Sequence, residues 1–466
     1  MAQTFSVWLA GAAGGLLLGA VGFASSAAGR PAEVLFPGLD KADFRQTVNL
    51  AKSKVFPAVV FIKCVREGYE QGEKAAHEVS GSGVIISAAG EVLSNWHVVD
   101  QAVEVRCLLI DGRAAAAKVL GADKDTDVAL LQLQLPAGGP ALPFARLGDS
   151  QRLTEGDFVM AMGAPWGLAR SVSIGIISCT RRFLPGVSEY SCWLQTDASI
   201  SPGNSGGPLV NTEGEVIGIN TRGVMAGGDT GFAVPIEVAQ EVAGQIRRQG
   251  KAKWSWTGFQ LQPLKDFNRN IYFDATNGVL VAETDPGSPA RLAGFRPGDR
   301  LIQIDSRPVT ALTEEDLPAI RRQLGLLAFG QPVKVEYLRQ DRVATATLTP
   351  REKGRVEGQM LDCPRWDFTL KTINQFDNPD LHFQRAKGVF IFGVKQPGNA
   401  AMAGLMPKDI LTRVDGQEVT TLEEVKEAHK KATDPAARQN RVVMSVLRNG
   451  LLRQVVLDYS RGFNPD

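Results

Sequence analysis

Ser205 stands in SPGNSGGPL, residues 201–209, among three glycines and two prolines. Such residues mark turns, and a serine in a turn is ordinary. They also let backbone N–H groups approach a reacting atom closely, as an oxyanion beside a nucleophilic hydroxyl requires. A serine hydroxyl is a poor nucleophile until a neighbouring base takes its proton. The motif therefore carries chemistry only if the chain also supplies a base and an acid to orient it. There are four histidines. His77, in GEKAAHEVS, reads as part of a polar loop, and His382 and His429 fall in the C-terminal part of the chain. His97 ends the strand-like run EVLSNWHVV in the same half as Ser205. An imidazole base needs a carboxylate on its other ring nitrogen to fix the tautomer and stabilise the cation. DKDTDVALLQLQL offers Asp123, Asp125 and Asp127. The third directly precedes an alternating strand, whereas the first two read as solvated turn residues. Asp100 and Asp197 are rivals, but each is closer in sequence to its partner than separate loops would suggest.

These residues need a scaffold. AVVFIKC, SGVIIS, VEVRCLLI, VALLQLQL, VIGINT and GFAVPI are short apolar or alternating runs separated by Gly, Asp and Pro turns, a pattern that fits a barrel or sandwich. A short amphipathic helix is expected over about 43–53. A second, IEVAQEVAGQIRRQGK at 236–251, ends on a glycine and closes the first domain. The remainder repeats itself. PGSPARLAGFRPGDRLIQIDSRPVTAL, from Pro286, matches PGNAAMAGLMPKDILTRVDGQEVTTL, from Pro397. Gly294 and Gly404, Asp299 and Asp409, and Thr310 and Thr420 are each 110 residues apart. Thr313 with Asp316 and Thr421 with Glu424 form capping-box pairs. Two tandem small domains account for this better than a solenoid.

The order His97, Asp127, Ser205, with gaps of 30 and 78 residues, is that of two-barrel serine proteases. GNSGG is formally a G-x-S-x-G elbow, but no alternating strand–helix pattern surrounds it. GSGVIIS, SNWHVVD, TDVALLQL, TDASISPGNSGGPLVNTEGEVIGINT and GFAVPI resemble the HtrA (Deg) family of serine proteases, and the two repeats resemble PDZ domains. The resemblance covers about 42–466. It implies a mainly β chain: a chymotrypsin-like double β-barrel over 42–252, a first PDZ domain over 253–351 and a second over 352–466, each a small α+β sandwich.

The resemblance also implies roles. His97, Asp127 and Ser205 would be the triad, and Gly203, Asn204 and Ser205 the oxyanion hole. Ile200, Arg222 and Gly223 would shape the pocket for the side chain preceding the cut. Arg182 would sit in a loop relaying PDZ occupancy to the active site. Gly258 and Phe259, in WTGFQL, would bind the end of a peptide added as an extra strand. In the second copy, RWDFTL puts Asp367 where glycine is usual, and its charge would repel a terminal carboxylate. That copy would serve assembly or bind something other than a free C-terminus. The short segment between Cys64 and Gly81 leaves no room for the long regulatory loop of some relatives. Trimers or larger assemblies are expected, with unfolded polypeptides as substrates and C-terminal peptides at the first PDZ domain.

Composition bounds the alternatives. The 466 residues suggest about three domains, and 44% hydrophobic with 22% charged residues is ordinary for globular proteins. A net charge of +1 gives no electrostatic ground for nucleic-acid binding. Five scattered cysteines show no metal spacing. Cys179 and Cys192 could staple a hairpin, with inert thiols as the default. GSGVII lacks the third glycine of a dinucleotide fingerprint, so neither cofactor nor metal is expected. Residues 1–29 carry no charged side chain and read as an export signal or membrane anchor, followed by a linker over 30–41. The expected function is a serine endopeptidase of the cell envelope, periplasmic, degrading unfolded or damaged proteins. Its rivals are a chaperone or PDZ scaffold with little proteolysis and, less well supported, an esterase.

Overall fold

The computed structural model describes residues 44–136, 138–165, 170–224, 230–266, 269–434, 436 and 439–463. The expected signal or anchor at 1–29 and the linker at 30–41 lie outside these residues. Among the described residues, no helix is long and apolar enough to cross a membrane.

The helix expected near the start is α1 (Phe44–Val55). The alternating runs then form two closed six-stranded barrels. The first is built from β1 (Val59–Glu70), β2 (Glu73–Ile85), β3 (Glu91–Ser94), β4 (Ala102–Leu108), β5 (Ala114–Asp123) and β6 (Val128–Gln134), with α2 (Trp96–Val99) after β3. The second uses β7 (Phe158–Gly163), β8 (Ser171–Arg182), β9 (Trp193–Thr196), β10 (Pro208–Val210), β11 (Val216–Val224) and β12 (Thr230–Pro235). Their order around the two barrels, β1-β2-β3-β6-β5-β4 and β7-β8-β9-β12-β11-β10, is the same. Ile62, Leu93, Leu130 and Leu131 are fully buried; because neighbouring residues of a strand point to opposite faces, the consecutive pair Leu130 and Leu131 shows that β6 is covered on both faces. α3 (Ile236–Gln249) ends on Gly250, whose φ of 72° suits a residue without Cβ. Its apolar face, including Val242 and Ile246, joins the core of the first barrel. His77 is not in a loop. It lies in β2, paired with Arg66 of β1 in a long hairpin.

The first repeat comprises β13 (Ser255–Trp256), β14 (Phe259–Gln262), β15 (Lys265–Asp266), β16 (Ile271–Tyr272), β17 (Val279–Thr284), β18 (Arg300–Ile304), β19 (Arg307–Pro308), β20 (Val333–Arg339), β21 (Arg342–Leu348) and β22 (Arg351–Glu352), with helices α4 (Pro289–Leu292) and α5 (Leu317–Gly325). Its sheet runs β14-β17-β18-β20-β21. The second comprises β23 (Met360–Cys363), β24 (Phe368–Thr372), β25 (Val389–Val394), β26 (Ile410–Val414), β27 (Gln417–Glu418), β28 (Arg441–Arg448) and β29 (Leu451–Asp458), with α6 (Pro379–Gln384), α7 (Asn399–Met402) and α8 (Leu422–Ala432). From β24 onward it repeats the first sheet's order, but β23 lies along the other edge of β24. Both expected capping boxes form. All five cysteines are free, including Cys179 and Cys192.

Candidate active site between the barrels

Asp127 occupies the tight turn from β5 to β6 with φ +57°, a left-handed conformation that Asp tolerates better than most residues. The turn is held from below: the Asp127 carbonyl accepts from the Trp96 N–H at 3.2 Å and from Asn95 Nδ2 at 3.0 Å. Its buried carboxylate accepts from the His97 backbone N–H at 3.1 Å, and His97 Nδ1 lies 2.9 Å from both carboxylate oxygens. The His97 side chain is 32% exposed, against 5% for Asp127. The imidazole thus has its acid on one side and solvent access on the other, as a base that meets substrate requires.

Ser205 is brought to the same place by contacts between the barrels. Ser82 of β2 donates its N–H to the Ser205 carbonyl at 2.8 Å and its hydroxyl to the Gly203 carbonyl at 2.6 Å. Gly206, at φ +84°, crosses so close to this strand that a Cβ would lie 2.1 Å from the Ser82 carbonyl oxygen. Thr221 of β11 links the two halves: its hydroxyl donates to the Asp127 carboxylate, and its carbonyl accepts from Ser205 Oγ at 2.9 Å. The Ser205 hydroxyl therefore points to Thr221, and no hydrogen bond joins it to His97 in this arrangement. Thr221, Ser82 and Asn95 went unnoticed in the sequence, because only their contacts with Asp127, Gly203 and Ser205, far away along the chain, give them their places.

Gly203 has φ +99°. Among the described residues, neither its N–H nor that of Ser205 has an acceptor, whereas the Asn204 N–H donates to the Ser201 carbonyl at 3.0 Å. Two backbone donors beside Ser205 are thus free to meet an oxyanion. Asn204 contributes differently: its buried Oδ1 accepts from Ser171 Oγ at 3.2 Å. Ile200 packs on Gly231, where a Cβ would come within 2.7 Å of its Cδ1. Gly231 pairs with Gly223, and Arg222 with Phe232, so Ile200 and the expected pocket strand share one wall. The Arg222 side chain lies outside what the structure describes.

Other candidates fall elsewhere. Asp197 accepts from the Ile176 N–H at 2.7 Å, tying β8 to the loop after β9. Burial pushes the Asp100 carboxyl above its usual range, and Asp100 caps α2 by donating its N–H to the Trp96 carbonyl at 2.8 Å. Asp123 and Asp125 are not solvated turn residues. Asp123 accepts from Trp254 Nε1 at 3.1 Å, and Asp125 from Lys353 Nζ at 2.8 Å. Arg182 Nε donates to Gln195 at 2.7 Å within the second barrel. Its neighbour Arg181 reaches the first repeat, donating to the Glu315 carbonyl at 2.9 Å and to Asp316 at 3.1 Å.

In the first repeat, Gly258 has φ +74° and packs so tightly that a Cβ would lie 2.1 Å from Ser288 Cβ. Phe259 meets Phe295 edge-on, with centroids 5.0 Å apart. Among the described residues β14 is hydrogen-bonded only to β17, which leaves its other edge to an added strand. A cavity of about 940 Å³ surrounds Gly258 and Phe259, walled by α5 and by Phe376 and Phe383 of the second repeat. In the second repeat Asp367 keeps the positive φ (+59°), and its carboxylate accepts from the Asn399 N–H at 2.8 Å at the start of α7. β23 fills the edge of β24 and packs under α8, with Cys363 wholly buried. A covered strand, rather than repulsion by Asp367 alone, closes this module to strand addition.

Comparison with known proteins agrees with this geometry. Residues 81–219 match the trypsin-like peptidase domain and residues 257–349 the PDZ domain. A probable periplasmic serine endoprotease, DegP-like, of Halomonas elongata is 36% identical over 77% of this chain and 75% of its own length. One from Pseudomonas putida is 35% identical over 79% of this chain and 77% of its own. The solved HtrA-type protease AlgW with a tripeptide is 33% identical, with a TM-score of 0.57, covering 66% of this chain and 97% of AlgW. Two closed barrels, a trypsin-like match and a following PDZ domain make this chain a serine endopeptidase of the HtrA family, with DegP-like relatives.

Proposed function

We propose that Ser205, His97 and Asp127 cleave unfolded or damaged polypeptides in the periplasm, through an acyl-enzyme on Ser205. The observation that carries this reading is the His97–Asp127 pair at 2.9 Å, with Ser205 hydrogen-bonded to Thr221, which also binds that carboxylate. Cleavage begins when Ser205 Oγ leaves the Thr221 carbonyl and turns to His97 Nε2. The imidazole takes the hydroxyl proton as Oγ bonds to the scissile carbonyl carbon. The resulting oxyanion lies between the N–H groups of Gly203 and Ser205. His97 then returns the proton to the leaving amine as the C–N bond breaks. Water, deprotonated by the same imidazole, releases the acyl group and restores Ser205.

The first PDZ module takes a peptide C-terminus at Gly258 and Phe259, and the second repeat, a PDZ-type module with its own edge strand in place, serves assembly. The relatives' periplasmic naming supports the same compartment, with residues 1–29 as signal or anchor. Trimers through the protease domains are expected of the family. The test is digestion of an unfolded protein such as casein by the full chain. Ser205→Ala is expected to lower turnover by on the order of 10⁶-fold without loss of fold. A folded variant cleaving at the wild-type rate removes Ser205 from the mechanism. A chain that binds unfolded protein without cutting it favours the chaperone reading.

A further inference from the structure

We infer that the base of the first PDZ module positions the catalytic acid, with Trp254 and Lys353 as positioning residues for Asp127. This rests on the triad proposed above. Trp254 and Lys353 are where the chain enters and leaves that module: the Lys353 N–H donates to the Trp254 carbonyl at 2.8 Å, and the adjoining β13 and β22 pair with each other. The Trp254 ring lies against Gly325 of α5, and both side chains reach into the turn that carries Asp127. Trp254 Nε1 donates to one oxygen of Asp123, and Thr126 donates to the other at 2.6 Å. Lys353 Nζ donates to Asp125 and, at 3.1 Å, to the Tyr190 hydroxyl, with Glu189 3.6 Å away. The Tyr190 ring stacks on Trp254 at 4.2 Å, which closes the cluster. Three consecutive anchors therefore surround a five-residue turn whose last member is Asp127. The third is Lys124, which pairs with Glu357 and lies 5.3 Å from the ring of Trp96, the residue before His97.

Burial makes this arrangement stiff. The Lys353 side chain is 9% exposed and Asp125 15%. Burial opposes the charge on Lys353, yet Asp125, Tyr190 and Glu189 raise its pKa above the usual lysine value. Burial also pushes Asp123 up to about 6. A buried ammonium cannot be separated from its carboxylate without leaving an uncompensated charge, so the turn follows the module's base wherever it moves. The effect of these groups reaches the chemistry because Asp127 has to meet His97 within a few tenths of an ångström to hold the tautomer.

The test compares wild type, Lys353→Met, Lys353→Arg and Ser205→Ala as full chains, with kcat and KM measured on a short chromogenic peptide across pH. Lys353→Met is expected to lower kcat by about 10- to 100-fold, with KM within about twofold of wild type. The acid limb of kcat/KM should move to lower pH, because a loosened Asp127 stabilises the imidazolium less. Lys353→Arg should recover part of the loss. Should Lys353→Met fail to fold, Trp254→Phe keeps an aromatic ring against Tyr190, removes the N–H to Asp123, and is expected to shift the same limb. A folded Lys353→Met or Trp254→Phe with wild-type kcat and an unmoved acid limb overturns the inference, as does a loss confined to KM. Wild-type cleavage that is absent, or that survives Ser205→Ala, defeats the triad reading instead.

Discussion

Asp127 shows what a single carboxylate must do here. It accepts from the base's ring, from the base's own N–H and from Thr221, so both oxygens are fully engaged. Asp127→Asn keeps the shape but offers an N–H where an acceptor is needed, which favours the wrong imidazole tautomer. We expect kcat to fall by roughly 10⁴-fold, with the melting temperature little changed, as measured by peptide hydrolysis and circular dichroism. An unchanged kcat would mean that another acid serves His97. Order and spacing singled out His97, Asp127 and Ser205 in the sequence, and the structure brings the first two to 2.9 Å and ties Ser205 to Thr221. Asp123 and Asp125 were misjudged because the groups that bury them, Trp254 and Lys353, lie 131 and 228 residues away. No local pattern signals such partners.

Elements whose signals are local were read most surely. α3 ends at the expected glycine, and α8 begins at the Thr421–Glu424 capping box. The β1–β2 hairpin was harder, since the outer half of β2 has no buried side chains and so no apolar alternation around His77. α8 also carries a titration. His429 stands edge-on to the wholly buried Trp366, with ring centroids 4.7 Å apart, and burial pushes its pKa from 6.5 down to about 4. Its folded pKa is depressed, so the unfolded chain binds the proton more readily. The associated stability is present above pH 6.5 and is lost as pH falls towards 4. Hydrogen exchange in α8 should accelerate across that window in wild type and much less in His429→Leu. Equal acceleration in both would assign the acid sensitivity to other groups.

At the scale of the whole molecule, the two repeats share a strand order yet differ at the edge that matters. Among the described residues β14 pairs on one side only, whereas β24 has β23 on one side and β25 on the other. The repeat was plain in the sequence. The closure of its second copy was not, because Met360–Cys363 precedes the repeated motif and has no marked counterpart beside β14. One C-terminal peptide per chain is therefore expected in calorimetric titration. Gly258→Val should abolish binding, since a Cβ there meets Ser288 at 2.1 Å. Asp367→Gly should add no second site, because β23 still covers the edge. Two peptides per chain, or a second site created by Asp367→Gly, would show the second module to be open.

The central claim is that Ser205 is the nucleophile and His97 its base. It is tested most directly by treating the full chain with a fluorophosphonate during digestion of casein and locating the adduct by mass spectrometry. A single adduct on Ser205, formed in step with loss of proteolysis and absent in His97→Ala, is the predicted result. Proteolysis that stops with the adduct on another residue, or labelling of Ser205 undiminished in His97→Ala, would contradict it.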